Sequence, residues 1–180
     1  ILVEIAFTAN ASNTVWEGKT TTEKSGLKAN DLGYHAFDGG GYLSLDEVDF
    51  SSISDEVTFS FWTKGDGDFL GINNSSIFEG VDANLVRQAN VHLPWSNKRV
   101  YWDCGNDGTG YDRIDKNIVT SDYSGEWHHW SFVKNVNEGR LYIYKDGNTW
   151  SVGSAKTKLI DLVKMSLGKA YGNSPNYYWG

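Results

Sequence analysis

The chain is poor in residues that stiffen or cross-link a fold: one cysteine (Cys104), two prolines and one methionine in 180 positions. A single thiol excludes an intrachain disulfide, so redox chemistry says nothing about compartment. No apolar run approaches the ~20 residues that a membrane-spanning helix needs, and membrane insertion is not expected. Cations are scarce, with 16 Lys and Arg against 23 Asp and Glu and a net charge of -7. A phosphate backbone requires a basic face, so nucleic acid is not an expected partner. There is no long amphipathic helix and no fixed-period repeat. There is also no secretory signal segment, and the chain opens at Ile1 without an initiator Met. That reads as a processed product or part of a larger chain.

What is present points to β structure. Twenty glycines and 14% aromatic residues suit a folded chain with many turns, and this length suits a single domain. The stretch Glu126 to Gly153, EWHHWSFVKNVNEGRLYIYKDGNTWSVG, carries the strongest signal. Trp127 to Lys134 is rich in aromatic and β-branched residues, and Asn135, Asn137 and Gly139 supply turn chemistry. Arg140 to Lys145 alternates, with Leu141 and Ile143 on one face and Tyr142 and Tyr144 on the other. Asp146-Gly147 suits a tight hairpin, with Asn148 to Val152 returning as the next strand. Val57 to Thr63 alternates too, placing Val57, Phe59, Phe61 and Thr63 on one face. Shorter strands are expected at Ile1 to Phe7, around Val15 and Trp16, at Tyr34 to Phe37, Tyr42 to Leu45, Ile77 to Glu79, Asn84 to Leu93, Arg99 to Asp103 and Met165 to Gly168. Thr8 to Asn13, Thr14 to Leu32, Asp66 to Ser76, Asn106 to Gly110 and Tyr171 to Gly180 read as loops. Ile114 to Val119 stays open between strand and loop. The expected fold class is all-β, a two-sheet antiparallel sandwich or jelly roll.

Five motifs in order carry a family resemblance. They are Phe7, Asn10, Ala11 and Asn13 as FxxNAxN, FDGGGYLSL from Phe37 to Leu45, VTFSFW from Val57 to Trp62, EWHHWSFVKN from Glu126 to Asn135 and LYIYKDG from Leu141 to Gly147. Together they resemble a laminin-G-like, concanavalin-A-like lectin/glucanase domain over nearly the whole chain. The segment His92 to Asn106 is similar to a subset of these domains in microbial and viral proteins. The resemblance implies two facing antiparallel sheets of about six or seven strands each. It implies binding of a glycan or surface protein more often than catalysis, and an extracellular, cell-surface or virion-surface setting. It also implies a closing strand after a segment like YYWG. The chain stops at Gly180, so the domain over 1–180 is expected to lack its final strand: either the sequence is truncated there, or the closing strand comes from elsewhere, with a neighbouring subunit supplying or covering the edge.

Candidate sites follow from residue chemistry. Trp95, Trp102 and Tyr111 lie in or beside predicted loops, as do Tyr177, Tyr178 and Trp179; an aromatic ring can stack on the apolar face of a sugar. Asn106, Asp107, Asp112 and Arg113 stand near Trp102 and Tyr111 to bond its hydroxyls. The bland alternative is core or rim packing for most of these rings. Calcium takes six to eight oxygen ligands. Two polar loops have that composition: Asp66 and Asp68 with Asn73 and Asn74, and Asp103 with Asn106, Asp107 and Asp112. The resemblance adds Asp38, in the FDG loop, as a structural calcium ligand. Hydrolysis is the weakest reading: Glu47-Val48-Asp49 approaches the alternating carboxylates of glucanases, but Ser51 and Ser52 stand where the third would be. His128 and His129 point to opposite faces of one strand and cannot share a metal. Cys104 reads as a small buried residue and His92 as a packing partner of Trp95 or Trp102. The expected function is a non-catalytic carbohydrate-binding or adhesion module of a larger protein; the alternative is a structural decoration or fibre domain of a virion or cell-surface assembly.

Overall fold

Val57, Phe59, Phe61 and Thr63 are buried while Trp62 between them is exposed, the period-2 pattern of a sheet with one dry face. A computed structural model of the chain builds the fold from such strands. It describes residues 7–9, 12–14, 27–29, 35–37, 42–46, 48–65 and 74–171. In chain order these form β1 (Phe7–Ala9), β2 (Ser12–Thr14), β3 (Leu27–Ala29), β4 (His35–Phe37), β5 (Leu43–Ser44), β6 (Glu56–Thr63) and β7 (Phe78–Val81). Then follow β8 (Arg87–Trp95), β9 (Arg99–Asn106), β10 (Tyr111–Asn117), β11 (His128–Asn135), β12 (Arg140–Lys145), β13 (Asn148–Gly153) and β14 (Lys164–Leu167). The only helical element among the described residues is one 3-10 turn at Thr120–Asp122.

Two antiparallel sheets face each other. One has six strands in the order β10-β9-β8-β7-β14-β5, the other four in the order β13-β12-β11-β6. The pairs β1-β2 and β3-β4 form separate hairpins, with β1 running beside β6. The expectation of six or seven strands per sheet is therefore met in one layer only among the described residues. Two stretches read as loop or connection hold strands: Ser12–Thr14 pairs with Phe7–Ala9, and Leu27–Ala29 pairs with His35–Phe37. Both are short, and Ser, Asn, Thr and Lys dilute the apolar signal on which a strand assignment rests. The expected strands at 1–6 and around Val15 and Trp16 lie outside the described residues.

The meander from β11 to β13 forms as its turns demand. Asp146 and Gly147 have φ of 50° and 78°, the double positive φ of a two-residue hairpin turn that matches strand twist. Asn135 Oδ1 accepts from Glu138 N at 2.8 Å and Gly139 takes φ 63° to close the other turn. The strand expected at Asn84 to Leu93 starts later, at Arg87, and runs on to Trp95. Asp82 Oδ1 accepts from Asn84 N and Val86 N, an acid-capped turn that delays β8 to Arg87.

The core lies between the layers. Phe59, Phe61, Trp130, Phe132, Leu141 and Ile143 from the four-stranded sheet meet Phe78, Val91, Trp102, Cys104 and Met165 from the six-stranded one. Phe59 lies 4.5 Å from Phe78 and edge-on to Trp102 at 5.7 Å, and Phe61 stacks on Phe132 at 5.7 Å. Each such ring contributes about 1.5–3 kcal/mol through burial. Trp102 also crosses the layers: its indole Nε1 donates to Val133 O at 3.1 Å.

One charge is trapped in this layer. Lys134 is fully buried, and its Nζ donates to Asp112 Oδ2 at 2.6 Å and Lys156 O at 2.9 Å. Asp112 Oδ2 also accepts from Lys158 N at 3.0 Å. The pair ties β11 of one sheet to β10 of the other. Nearby, Gly105 has φ 81° and a Cβ there would collide with the Lys158 carbonyl oxygen, so only glycine lets segment 158–159 lie against the end of β9. Removing one partner of a buried pair strands the other charge. Asp112→Ala is expected to cost about 3–5 kcal/mol in urea unfolding, and the double change Asp112→Leu with Lys134→Met to restore most of that. A single-variant loss below about 1 kcal/mol would show that Lys134 escapes to water.

Candidate functional site

Alternation that buries Ala89, Val91 and Leu93 in the core turns Gln88, Asn90 and His92 to the opposite side of β8. Cross-strand register then assembles one polar row over the outer face of the six-stranded sheet. It reads Ser44, Ser166, Glu79, Asn90, Asp103 and Arg113. Its centre is dry, since Glu79, Asn90, Asp103 and Ser166 are all buried. A buried carboxylate needs donors, and arginines supply them. Asp103 takes Arg113 Nε at 2.5 Å and Nη2 at 2.8 Å on one side, and Arg87 Nη1 at 2.8 Å on the other. Arg87 Nε also donates to Glu79, whose second oxygen accepts from the Tyr171 backbone N–H. Burial pushes the Glu79 carboxyl above its ordinary range, against the pull of Arg87.

Towards the β10 edge the row becomes accessible. The Arg113 guanidinium lies 4.6 Å from the Tyr101 ring centre and 4.9 Å from that of Tyr111, and Arg87 stands 5.4 Å from Tyr111. Tyr111 is 37% exposed. The chain of rings continues inward through His92, which is 6.1 Å from Tyr101 and 4.1 Å from Trp95. Farther along β9 and β10, Arg99 pairs with Asp115 and donates to Asn117 Oδ1. The result is a ledge of aromatic rings and pinned guanidinium groups along β8, β9 and β10. Asn90 Nδ2 donates to Phe78 O at 3.0 Å, while its buried Oδ1 has no hydrogen-bond partner among the described residues.

The ledge collects some of the residues singled out from the sequence and rejects others. Tyr111, Arg113 and, through His92 and Tyr101, Trp95 belong to it. Trp102 does not: mid-strand on β9, it points into the core and is fully buried, because its parity is that of Val100 and Cys104. Asp112 likewise faces inward to Lys134. Asn106 and Asp107 build the β9–β10 turn. Asn106 Oδ1 accepts from Gly108 N at 2.9 Å, and Asp107 Oδ1 accepts from Thr109 N at 3.0 Å and Lys158 Nζ at 2.9 Å. Hydrogen bonds from Thr109 and Lys158 hold the Asp107 carboxyl well below its usual range. Arg87, Tyr101, Glu79 and Asn90 were not among the sequence candidates, and Asp103 was one only as a calcium ligand. Their signal was the alternation of Arg99, Tyr101 and Asp103 against Arg113, Asp115 and Asn117, once β10 is seen to start at Tyr111 and not at Ile114.

The acid-rich stretch Asp103, Asn106, Asp107 and Asp112 spends its carboxylates on basic side chains. Each carboxylate is bonded to a different cation, and among the described residues no three His, Cys, Asp or Glu side chains gather to hold a metal. Asp38, Asp66 and Asp68 lie outside the described residues, as do Glu47, Tyr177, Tyr178 and Trp179. Asp49 is exposed and accepts from Ser51 N. His128 bonds Asp146 Oδ2 at 2.8 Å, whereas His129 turns outward to Ser60 Oγ at 2.8 Å, so the two rings part as strand geometry requires. Cys104 is fully buried and burial pushes its thiol far up, away from nucleophilic use.

No family model matches the chain, and no curated protein does. Solved structures match it by fold. The binding domain of botulinum neurotoxin DC in complex with rat synaptotagmin II aligns with TM-score 0.64 at 13% identity, over 96% of this chain and 45% of that one. The same toxin's binding domain in complex with SialylT aligns with TM-score 0.61 at 12% identity, over 88% and 37%. Mouse laminin alpha1 chain domains LG4-5 align with TM-score 0.54 at 17% identity, over 81% and 38%. The fold is a laminin-G-like jelly roll. This jelly roll spans less than half the length of each of those structures.

His92 gives the jelly roll a pH signature. Burial first, and then the charge of Arg87, lower its pKa from 6.5 to about 3. The unfolded chain binds the extra proton between those values, so stability falls as pH drops through that window, by up to about 1.4 kcal/mol per unit. Glu79, raised above 4.5, acts with the opposite sign: it favours the folded state below 4.5 and loses that as pH rises through its folded value. Comparing variants isolates the histidine. Thermal midpoints between pH 6.5 and 4 are expected to fall less steeply for His92→Gln than for the parent, and parallel slopes would refute the assignment.

Proposed function

We propose that the protein is a non-catalytic binding module of a larger extracellular or surface protein, and that the ledge of Tyr111, Arg113, Tyr101 and Trp95 holds a glycan. The observation that carries this is Arg113, fixed by the buried Asp103 and laid against two tyrosine rings, one of them well exposed. Sugar C–H faces stack on such rings, and pinned guanidinium N–H groups bond hydroxyls or a sugar carboxylate without first losing rotamer freedom. Arg113 spends Nε and Nη2 on Asp103, and Nη1 has no partner among the described residues. The SialylT and synaptotagmin II complexes of toxin domains with this fold support a glycan or a surface protein as the partner class. Retaining hydrolysis needs an acid and a nucleophile ~5 Å apart with their charges available. On this face Glu79 and Asp103 are instead committed to arginines, which favours binding over bond cleavage. No helix among the described residues is long and apolar enough to cross a membrane.

A glycan array followed by calorimetry tests this, with sialyllactose among the probes. One glycan class is expected to bind, and Tyr111→Ala to weaken it roughly tenfold, about the worth of one aromatic contact. No binding to any glycan would remove the reading. Calcium at the loop of Asp38, or at the loop of Asp66 and Asp68, belongs to the same proposal: calcium added to EDTA-treated protein is expected to raise the thermal midpoint, and an unchanged midpoint removes that part.

A further inference from the structure

The outer face of the four-stranded sheet differs from the ledge in chemistry. Its first rung pairs Trp62 of β6 with His129 of β11; its second sets Ser60, Ser131 and Tyr144 side by side. Tyr142, next along β12 on the same face, stacks against Tyr144 at 5.9 Å and 19°. Trp62 is 49% exposed, and its ring sits 5.2 Å from that of His129. The imidazole is held in turn: Ser60 Oγ lies 2.8 Å from His129 Nε2 and 2.9 Å from Ser131 Oγ. A large ring half in water is thus backed by a polar relay that fixes its neighbour.

We propose that this face is a second carbohydrate-binding surface, built for a neutral oligosaccharide lying across β6, β11 and β12. Charge decides the ligand class. The chain has 39 charged side chains (16 basic and 23 acidic), yet no Lys or Arg falls on the rungs from Trp62 to Tyr142, and the charges at their border are acidic: Asp146 beside His129 and Glu138, which accepts from the Tyr142 hydroxyl at 2.6 Å. An anionic polymer would need cations there. A protein partner would need a contiguous apolar patch, and serine hydroxyls interrupt this one. A neutral sugar needs rings to stack on and hydroxyls that both give and accept, and serine, tyrosine and imidazole offer both. Trp62 and Tyr144 are two strands and two residues apart, roughly 12 Å from strand spacing and rise, so the ligand is a chain of sugars and not one ring. The surface stands on the opposite layer from the ledge and does not depend on it.

The test uses the full chain with cellotetraose, xylotetraose, mannotetraose and laminaritetraose in calorimetry. At least one is expected to bind in the millimolar range or tighter. Trp62→Ala should weaken that binding tenfold or more, Tyr144→Phe should weaken it less, and Tyr111→Ala should leave it unchanged. Thermal midpoints show that the variants fold; should Trp62→Ala not fold, Tyr144→Ala takes its place. Failure of all four sugars overturns the inference, as does binding that survives loss of Trp62 and Tyr144. Binding lost only in Tyr111→Ala would assign the sugar to the ledge and refute the second surface.

Discussion

Phe59, Phe61, Trp130 and Phe132 on one sheet and Phe78 and Trp102 on the other can leave water only by meeting each other. That requirement places everything else. Polar atoms caught between the layers must find partners there: the Trp102 indole takes Val133 O, and Lys134 takes Asp112. Segments that seal the sandwich are drawn to the same layer. Ile160 and Leu162 enter the core from the stretch between β13 and β14, and Ile160 N bonds Ser54 O at 2.8 Å. Once the inner faces are committed, strand alternation commits the outer ones.

The two outer faces carry opposite kinds of surface. Over the six-stranded sheet the carboxylates of Glu79 and Asp103 are dry, and arginines answer them. The arginines in turn lie on tyrosine rings, where a cation over an aromatic face gains further attraction. Over the four-stranded sheet hydroxyls, an imidazole and rings stand in rows without Lys or Arg, bordered by the acids Asp146 and Glu138. One fold thus presents an arginine-rich ledge and a plane of rings and hydroxyls without cations on opposite sides of a shared core. Function in this fold resides in such surfaces and not in the sandwich itself.

Several features were legible in the residues alone. The alternation in Val57 to Thr63 and Arg140 to Lys145 set which side chains are buried, because a strand sends neighbours to opposite faces. Asp146-Gly147 set a turn, because both positions accept positive φ. The burial of Cys104, the packing of His92 on Trp95 and the parting of His128 from His129 followed from the same local rules. Trp102 and Asp112 did not: near a polar loop, each looked like a surface residue. YDRIDKN has one β-branched residue in seven, so β10 was not recognised as starting at Tyr111, and without that start the inward parity of Asp112 is invisible.

What the chain determined by itself is therefore local: strand content, the dry side of the strongest strands, and tight turns. The meeting of Arg87, Asp103 and Arg113, of Lys134 with Asp112, and of Trp62 with His129 was decided by tertiary structure. The last pair lies on β6 and β11, far apart in the chain, and nothing short-range connects them. Their register is chosen by how Phe59, Phe61, Trp130 and Phe132 fit together between the sheets, and a slip of one residue would turn both rings of the slipped strand into water.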